Sequence, residues 1–122
     1  VVLSARNSLS SEIYQGIAEG LGVEYVRKVT RQFMDERYMN PDVTIIFTLD
    51  DTTRQTRIAK RGTLKSPDTF ESRGETFQQL LNAGYAQLAT ERGYHTIDAS
   101  QTIADIHSEF CALVLDKLQI SR

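Results

Sequence analysis

The sequence feature that most constrains the fold is the apolar run Val43–Leu49, which directly follows the helix-breaking stretch Asn40-Pro41-Asp42. A strand with one face in water alternates apolar and polar residues, and this run is too apolar for that pattern. Strands that are apolar on both faces are typical of parallel sheets covered by helices. The run therefore predicts a central strand of a parallel sheet.

Strand-like and helix-like segments alternate along the rest of the chain. Two further strands are predicted, at Val1–Ser4 and at Tyr94–Asp98. Helical spacing and capping residues predict four helices. The first has Val26, Val29 and Phe33 on its apolar face, and the second is capped by Asp50 or Asp51 and ends at Gly62. The third runs from Phe70 to Gly93 and is closely packed at Gly84, and the fourth is opened by Ser100 or Thr102 and buries Ile103, Ile106, Phe110, Val114 and Leu118. This alternation predicts an α/β fold.

Size and charge limit the class of protein. The length of 122 residues suits one domain, and 40% hydrophobic with 25% charged residues is the composition of a globular chain. The net charge of -2 provides no overall field that attracts nucleic acid or anionic lipid. We find no signal-peptide pattern, no apolar stretch of about 20 residues, and a single cysteine. We expect a soluble, cytoplasmic, single-domain protein with no nucleic-acid or membrane partner.

One helix of the predicted fold has an unusual basic stripe. Arg54, Arg57 and Arg61 follow one another at helical spacing, and the polar segment Thr63–Thr69 comes next, which predicts a loop. Guanidinium groups bind phosphoryl oxygens bidentately, so the stripe suits a lid over a phosphate. The spacing alone favours a solvated helix face. The sequence contains no Gly-x-x-x-x-Gly-Lys-Ser/Thr phosphate loop and no Cys/His cluster with metal-ligand spacing.

A second group of polar residues follows the first predicted strand. Arg6 comes where parallel α/β sheets place ligands, outside the carboxyl ends of the strands. The segment Ser8–Gly16 then offers hydroxyls, an amide and an aromatic ring, which is the mixture that orients and stacks a nucleoside, although a polar loop has the same composition. His95 and His107 are isolated and are interpreted as structural or solvated, and Cys111 in the last helix is interpreted as a core or half-buried thiol.

Taken together, these residues resemble the C-terminal half of the thymidylate kinases. The matching blocks occur in the family's order and cover nearly the whole chain: Ser4-Ala5-Arg6-Asn7, Tyr14-Gln15-Gly16, Asn40-Pro41-Asp42-Val43-Thr44-Ile45, Arg57-Ile58-Ala59-Lys60-Arg61-Gly62, Asp68-Thr69-Phe70-Glu71, Gly84-Tyr85 and Ile97-Asp98-Ala99-Ser100-Gln101. The resemblance implies a P-loop NTPase-like three-layer α/β/α fold. Residues 1–122 would be the C-terminal portion of that fold, with the phosphate-loop strand absent from this chain.

The resemblance also implies an activity, the transfer of a phosphoryl group from ATP to dTMP to give dTDP for dTTP synthesis. The family's dTMP-binding residues match Arg6 on the phosphate, Ser10, Ser11 and Gln15 in the pocket, and Tyr14 against the sugar, where a ribose would carry its 2′-hydroxyl. The family's ATP-side residues match the lid residues Arg57 and Arg61, with Arg73 near them as a third catalytic arginine, and Ser100 and Gln101 beside the adenine. No metal ligand is assigned to this chain, since Mg²⁺ with ATP would be held mainly by the missing N-terminal half. The family's habit of pairing through helices is compatible with a homodimer.

Three positions depart from the family pattern. Ala5 stands where the family has aspartate, Asn7 where an aromatic residue is usual, and Thr69 where some members have a lid arginine. The departures leave three interpretations open. The chain is part of a larger thymidylate kinase, a non-catalytic nucleotide-binding or assembly module derived from one, or another deoxynucleoside monophosphate kinase.

Overall fold

The structure, a computed structural model, describes residues 1–62 and 73–119. Its elements in chain order are α1 (Ser8–Ser11), a π-helix (Glu12–Ala18), α2 (Val23–Thr30), α3 (Glu36–Met39), β1 (Ile45–Thr48), α4 (Asp51–Arg61), α5 (Glu75–Arg92), β2 (His95–Asp98) and α6 (Ile103–Lys117). The predicted lid loop Thr63–Thr69 lies outside the described residues. The chain divides into two compact units, and the single domain predicted for residues 1–122 stays a prediction.

The first unit, formed by Val1–Asp42 and Gly74–Glu91, is helical. Asn7 starts α1, because its side-chain oxygen accepts a hydrogen bond from the backbone N–H of Leu9 at 3.1 Å. The helices α1, the π-helix and α2 pack against one another. The buried apolar side chains of this unit are Leu9, Ile13, Val26, Met39, Leu81, Leu88 and Ala89.

Two glycines of the first unit permit close approaches between helices. A Cβ atom at Gly84 of α5 would lie 2.9 Å from Cδ1 of Ile17 and 3.2 Å from Cγ2 of Ile13, both on the π-helix. A Cβ atom at Gly16 would lie 3.0 Å from the backbone Cα of Val23, at the start of α2. The close packing predicted at Gly84 is therefore confirmed, and α5 and α2 both pack tightly against the π-helix.

The second unit, Val43–Arg73 with Arg92–Arg122, contains the sheet. Strands β1 and β2 pair in parallel, with Ile45 opposite His95 and Thr48 opposite Asp98. Only Ile46 and Ile97 are buried among the described residues of this unit. The predicted parallel pairing is confirmed. The unit's helices α4 and α6 contain no buried residue.

Both capping predictions for the second unit are confirmed. The Asp50 carboxylate accepts a hydrogen bond from the backbone N–H of Thr53 at 2.8 Å and so caps α4. Thr102 caps α6, because its hydroxyl oxygen accepts a hydrogen bond from the backbone N–H of Asp105 at 3.2 Å. No helix within the described ranges is long and apolar enough to cross a membrane.

Several sequence predictions about burial are wrong. Val1–Ser4 forms no strand and is exposed, because no segment among the described residues pairs with it. Within those residues β1 pairs with β2 alone, and Phe47 on β1 is 52% exposed, so β1 is not a central strand there. Phe33 lies beyond the end of α2 and Ile103 begins α6, and both are exposed. Helical spacing marks an apolar face but does not supply the neighbour that covers it.

Candidate functional site

In the first unit, two of the predicted dTMP residues are in direct contact. The guanidinium Nη2 of Arg6 donates a hydrogen bond to the hydroxyl oxygen of Tyr14 at 2.7 Å. The Arg6 Cζ atom lies 5.1 Å from the centre of the Tyr14 ring, which is within range of a cation–π interaction. The structure therefore holds the arginine and the tyrosine as a pair, although eight residues separate them along the chain.

The backbone at Arg6 has a conformation that L-residues rarely adopt. Its φ is 107°, and the hydroxyl of Ser4 donates a hydrogen bond to the Arg6 carbonyl oxygen at 2.6 Å. The Asn7 cap follows immediately. Such backbone conformations cost about 1–3 kcal/mol and tend to occur where surrounding contacts enforce them, often at functional sites.

Two further aromatic residues extend the Arg6–Tyr14 pair. The ring of Phe77 meets the Tyr14 ring edge-on, with centroids 6.3 Å apart. The hydroxyl of Tyr85 is hydrogen-bonded to the hydroxyl of Ser10 at 3.2 Å. Partial burial raises the pKa of Tyr85, the nearby Tyr14 adds to that rise, and the Ser10 hydrogen bond and the positive charge of Arg6 oppose it. We call these five residues the tyrosine cluster: Arg6, Ser10, Tyr14, Phe77 and Tyr85.

The π-helix carries Tyr14 and Gln15, two of the predicted pocket residues. Its last carbonyls accept hydrogen bonds from backbone N–H groups further along the chain: Glu19 to Tyr14 at 3.0 Å, Leu21 to Gln15 at 3.0 Å, and Gly22 to Gly16 at 2.9 Å. The Gln15 side chain is half-buried, and Ser11, just before the π-helix, is exposed. A π-helix is rare and frequently marks a functional site.

In the second unit, two carboxylates lie after the ends of the parallel strands. Asp98 ends β2, and its oxygens accept hydrogen bonds from the backbone N–H and the hydroxyl of Ser100, each at 2.8 Å. These hydrogen bonds lower the pKa of Asp98, and the Asp50 charge works against them. The pKa of Asp50 is lowered by its hydrogen bond with Thr53. In both cases local hydrogen bonds favour the ionised carboxylate.

Two arginines of the stripe on α4 have different partners. Arg54 donates from Nε to the Asp51 carboxylate at 3.2 Å, whereas Arg57 donates from Nη2 to the backbone carbonyl of Ser100 at 3.4 Å. Arg57 and Ser100, both predicted on the ATP side, are therefore close together. Arg61 is exposed in the last turn of α4.

The other two predicted ATP-side residues, Arg73 and Gln101, occupy separate places. Arg73 is half-buried and comes shortly before α5. The Gln101 side chain donates a hydrogen bond to the carboxylate of Glu109 on α6 at 3.3 Å.

Sequence reasoning missed three residues of the first unit: Phe77, Tyr85 and Glu12. The two aromatic residues lie within the helix predicted from Phe70 to Gly93, and nothing in their spacing indicates that they meet Ser10 and Tyr14. Glu12 lies within the polar segment predicted to bind a nucleoside, yet it is buried and pairs with Arg27. The only local indication that Glu12 is buried is its position in the sequence, between the predicted pocket residue Ser11 and the apolar residue Ile13.

The arrangement supplies cationic and hydroxyl groups, not metal ligands. Across residues 1–62 and 73–119 no group of three or more His, Cys, Asp or Glu side chains is placed to hold a metal ion. Cys111 lies 3.5 Å from the His107 ring nitrogen Nε2, one turn apart on α6. The tyrosine cluster presents a guanidinium beside an aromatic face, a combination suited to an anion attached to a ring system.

Comparisons with known proteins identify the family. The family model for thymidylate kinase matches residues 1–110. A thymidylate kinase of Finegoldia magna is 31% identical over 121 residues, covering 98% of this chain and 57% of that protein. The thymidylate kinase of Geobacillus thermodenitrificans is 35% identical, covering 100% of this chain and 54% of that protein. That of a Shewanella species is 36% identical, covering 93% of this chain and 52% of that protein. The chain spans about half the length of these curated relatives, and it belongs to the thymidylate kinase family.

Proposed function

We propose that this chain contributes the dTMP site and part of the ATP site of an enzyme that transfers the terminal phosphoryl group of ATP to a phosphate oxygen of dTMP. The products are ADP and dTDP. The family membership supports this reaction class, and the observation that carries the proposal is the Arg6–Tyr14 pair. Arg6, which would bind the phosphate, and Tyr14, which would orient the sugar, are held together by a direct hydrogen bond.

Arg6 binds the phosphate of dTMP in this proposal. One of its nitrogens is occupied by the Tyr14 hydroxyl, and the planar guanidinium retains further N–H donors for phosphate oxygens. Tyr14, which contacts Arg6 and the ring of Phe77, limits the space beside the sugar and favours 2′-deoxynucleotides. Ser10, Ser11 and Gln15 supply hydroxyl and amide groups to the same pocket.

The ATP side consists of Arg57 and Arg61, with Arg73 as a third arginine and Ser100 and Gln101 beside the adenine. The contact between Arg57 and the Ser100 carbonyl supports part of this assignment. Phosphoryl transfer depends on positioning and on neutralising the charge of the phosphoryl oxygens, which the arginines provide. ATP enters with Mg²⁺, and no side chain of this chain is assigned to the metal.

The fold proposed is the P-loop NTPase-like α/β/α fold, and the parallel pair β1–β2 with α4 and α6 supports it. We place the activity in a polypeptide that also contains a phosphate loop, since residues 1–122 contain none. The lid over ATP is assigned to Thr63–Thr69. The working location is the cytoplasm.

The test is calorimetric titration of the full-length gene product with dTMP, thymidine and the ribose analogue of dTMP, together with an assay of dTDP formation from ATP. We expect dTMP to bind more tightly than either analogue and dTDP to form. Binding of dTMP without product formation would favour a non-catalytic nucleotide-binding module. The other deoxynucleoside monophosphates are titrated as well. Tighter binding of one of them than of dTMP would mean that dTMP is not the substrate.

A further inference from the structure

A buried ion pair lies directly beside the proposed dTMP pocket, and the mechanism above does not use it. The Glu12 carboxylate lies 3.3 Å from Nη1 of Arg27, and the two side chains are 1% and 16% exposed. Glu12 is the first residue of the π-helix, and Arg27 is on α2. Charged groups are rarely buried this completely unless they are paired, because desolvation is costly.

Arg27 also links the pair to a third helix. Its Nη2 donates a hydrogen bond to the side-chain oxygen of Asn40 at 3.1 Å, and the Asn40 amide in turn donates to the Glu36 carboxylate of α3. The Arg27 guanidinium therefore connects the π-helix and α2 with Asn40, the C-cap residue of α3. The fork of an arginine has a fixed geometry, so these contacts restrict both the position and the direction of Glu12.

The same two helices are also in contact at Gly16, four residues further along the π-helix. Because Gly16 has no side chain, the backbone of Val23 can pack directly against it. A Cβ atom at Gly16 would lie only 3.0 Å from the Cα atom of Val23. Tyr14 lies between these two contacts along the chain. Its helix is thus attached to α2 on both sides of the residue that meets Arg6.

A π-helix closes i→i+5 hydrogen bonds, so each of its turns contains about one residue more than a turn of an α-helix. Its register therefore depends on contacts with neighbouring elements. Relaxation to α-helical geometry would turn the residues before and after the change by about 100° relative to each other, one residue's rotation at 3.6 residues per turn. Such a turn would move Tyr14 away from Arg6. The buried pair at the start of the π-helix opposes this change.

We infer that Glu12 and Arg27 are positioning residues for the dTMP pocket, holding the π-helix in the register that places Tyr14 against Arg6. The inference rests on the proposed function, because dTMP is the ligand whose binding reports the position of Tyr14. Neither residue is assigned a contact with substrate. Their effect is transmitted through the π-helix backbone.

The test uses the full-length gene product and the variants Glu12→Gln and Arg27→Met, with Arg31→Met as the matched control. Arg31 follows Arg27 by one turn and forms a 3.9 Å ion pair with Glu36, but the side chains of Arg31 and Glu36 are both well exposed. We measure dTMP and ATP affinities, the preference for dTMP over its ribose analogue, and cooperative thermal unfolding.

We expect Glu12→Gln and Arg27→Met to weaken dTMP binding roughly tenfold and to reduce the preference for the deoxynucleotide, since small misplacements are costly in a preorganised site. ATP affinity should change less than about twofold in both variants, and Arg31→Met should match the wild type in every measurement. Unchanged dTMP affinity in a folded Glu12→Gln protein would overturn the inference. Equal losses for dTMP and ATP would do the same, because they would indicate general destabilisation.

A double variant covers the case in which the single variants do not fold. Glu12→Leu with Arg27→Met replaces the ion pair by apolar groups, a change that often preserves stability. A folded double variant with weakened dTMP binding supports the inference, and one with wild-type affinity overturns it. If the wild-type protein itself binds no dTMP, the proposed function fails, and the positioning role fails with it.

Discussion

The two units of this chain hold their proposed site residues in different ways. In the first unit, Tyr14 lies on a helix whose residues Glu12 and Ile13 are fully buried, and its partners come from distant parts of the chain. In the second unit, Arg57 and Arg61 lie on α4, which has no buried residue. The proposed acceptor pocket is held by packing, whereas the proposed ATP-side arginine Arg57 lies on an exposed helix and donates a 3.4 Å hydrogen bond to the Ser100 carbonyl.

The difference follows the chemistry that each region is proposed to perform. Discrimination between a deoxyribose and a ribose needs a rigid wall, because the two sugars differ by one hydroxyl group. Neutralising phosphoryl charge needs cations that can follow the nucleotide, and an exposed helix provides them with little reorganisation of a core. We therefore expect substitutions in the first unit to change affinity and specificity, and substitutions on α4 to change turnover.

The largest expected effect concerns both units at once. The polypeptide of residues 1–122, assayed alone, should form no dTDP above a control preparation, because nothing in it replaces the amides and lysine of a phosphate loop. A coupled assay for ADP with direct detection of dTDP measures this. Product above the control would show that the two units are sufficient for catalysis.

The next effect tests the ATP side. In the full-length gene product, Arg57→Ala or Arg61→Ala should lower kcat on the order of 100-fold and change dTMP affinity less, because their charge acts where phosphoryl charge develops. Arg54→Ala is the matched control, since Arg54 is already paired with Asp51. Steady-state kinetics with both substrates varied measures the split. An equal loss of kcat in Arg54→Ala would mean that the proposal assigns the wrong face of α4 to the nucleotide.

The dTMP side is tested by Arg6→Ala, which removes a charge-assisted hydrogen bond to the phosphate. We expect dTMP binding to weaken by roughly 1.5–3 kcal/mol and thymidine binding to stay nearly unchanged. Tyr14→Ala should instead narrow the preference for the deoxynucleotide. Calorimetry with dTMP, thymidine and the ribose analogue distinguishes the two effects. Equal losses for dTMP and thymidine in Arg6→Ala would indicate that the arginine supports the fold.

Packing of the first unit is tested at Gly84, where no space exists for a side chain. Gly84→Leu should lower the free energy of unfolding by roughly 1–3 kcal/mol, because Ile13 and Ile17 must move. Ala83→Leu, an exposed neighbour on the same helix, should change it little. Urea denaturation of the full-length gene product measures both. Equal midpoints for the two variants would mean that α5 does not pack tightly on the π-helix.

The smallest effect is a pH dependence in the second unit. Because hydrogen bonding to Thr53 lowers the pKa of Asp50 below its ordinary value, the folded state binds fewer protons than the unfolded state between the two pKa values. The resulting stability is fully present above the unfolded pKa and is lost as the pH falls through the folded pKa. Asp50→Asn keeps the capping oxygen but cannot titrate, so its thermal midpoint should fall less steeply with acid. Identical slopes for wild type and variant would contradict the assignment.

Local features of the fold could be read from the sequence, because their causes lie within a few residues. A carboxylate or hydroxyl before a helix caps it, so Asp50 and Thr102 were predictable. Strand β2 agrees with the predicted strand to within one residue at its start. Gly84 marked a close approach because glycine is otherwise unfavourable within a helix.

The order of blocks along the chain also determined the family, which the comparisons confirm. The sequence therefore determined the local elements, the caps and the family of this protein. Tertiary structure alone decided which faces are covered: Val1–Ser4 and Ile103 look like core residues but are exposed, because burial requires a neighbour that periodicity does not specify.

The contacts of the candidate site were also decided by tertiary structure. Arg6 meets Tyr14, Ser10 meets Tyr85 and Glu12 meets Arg27 because the helices of the first unit pack together. Each pair joins residues that are eight or more positions apart, and no local rule relates them. The π-helix also packs against α2, and no local pattern in the sequence predicted either this helix type or this contact.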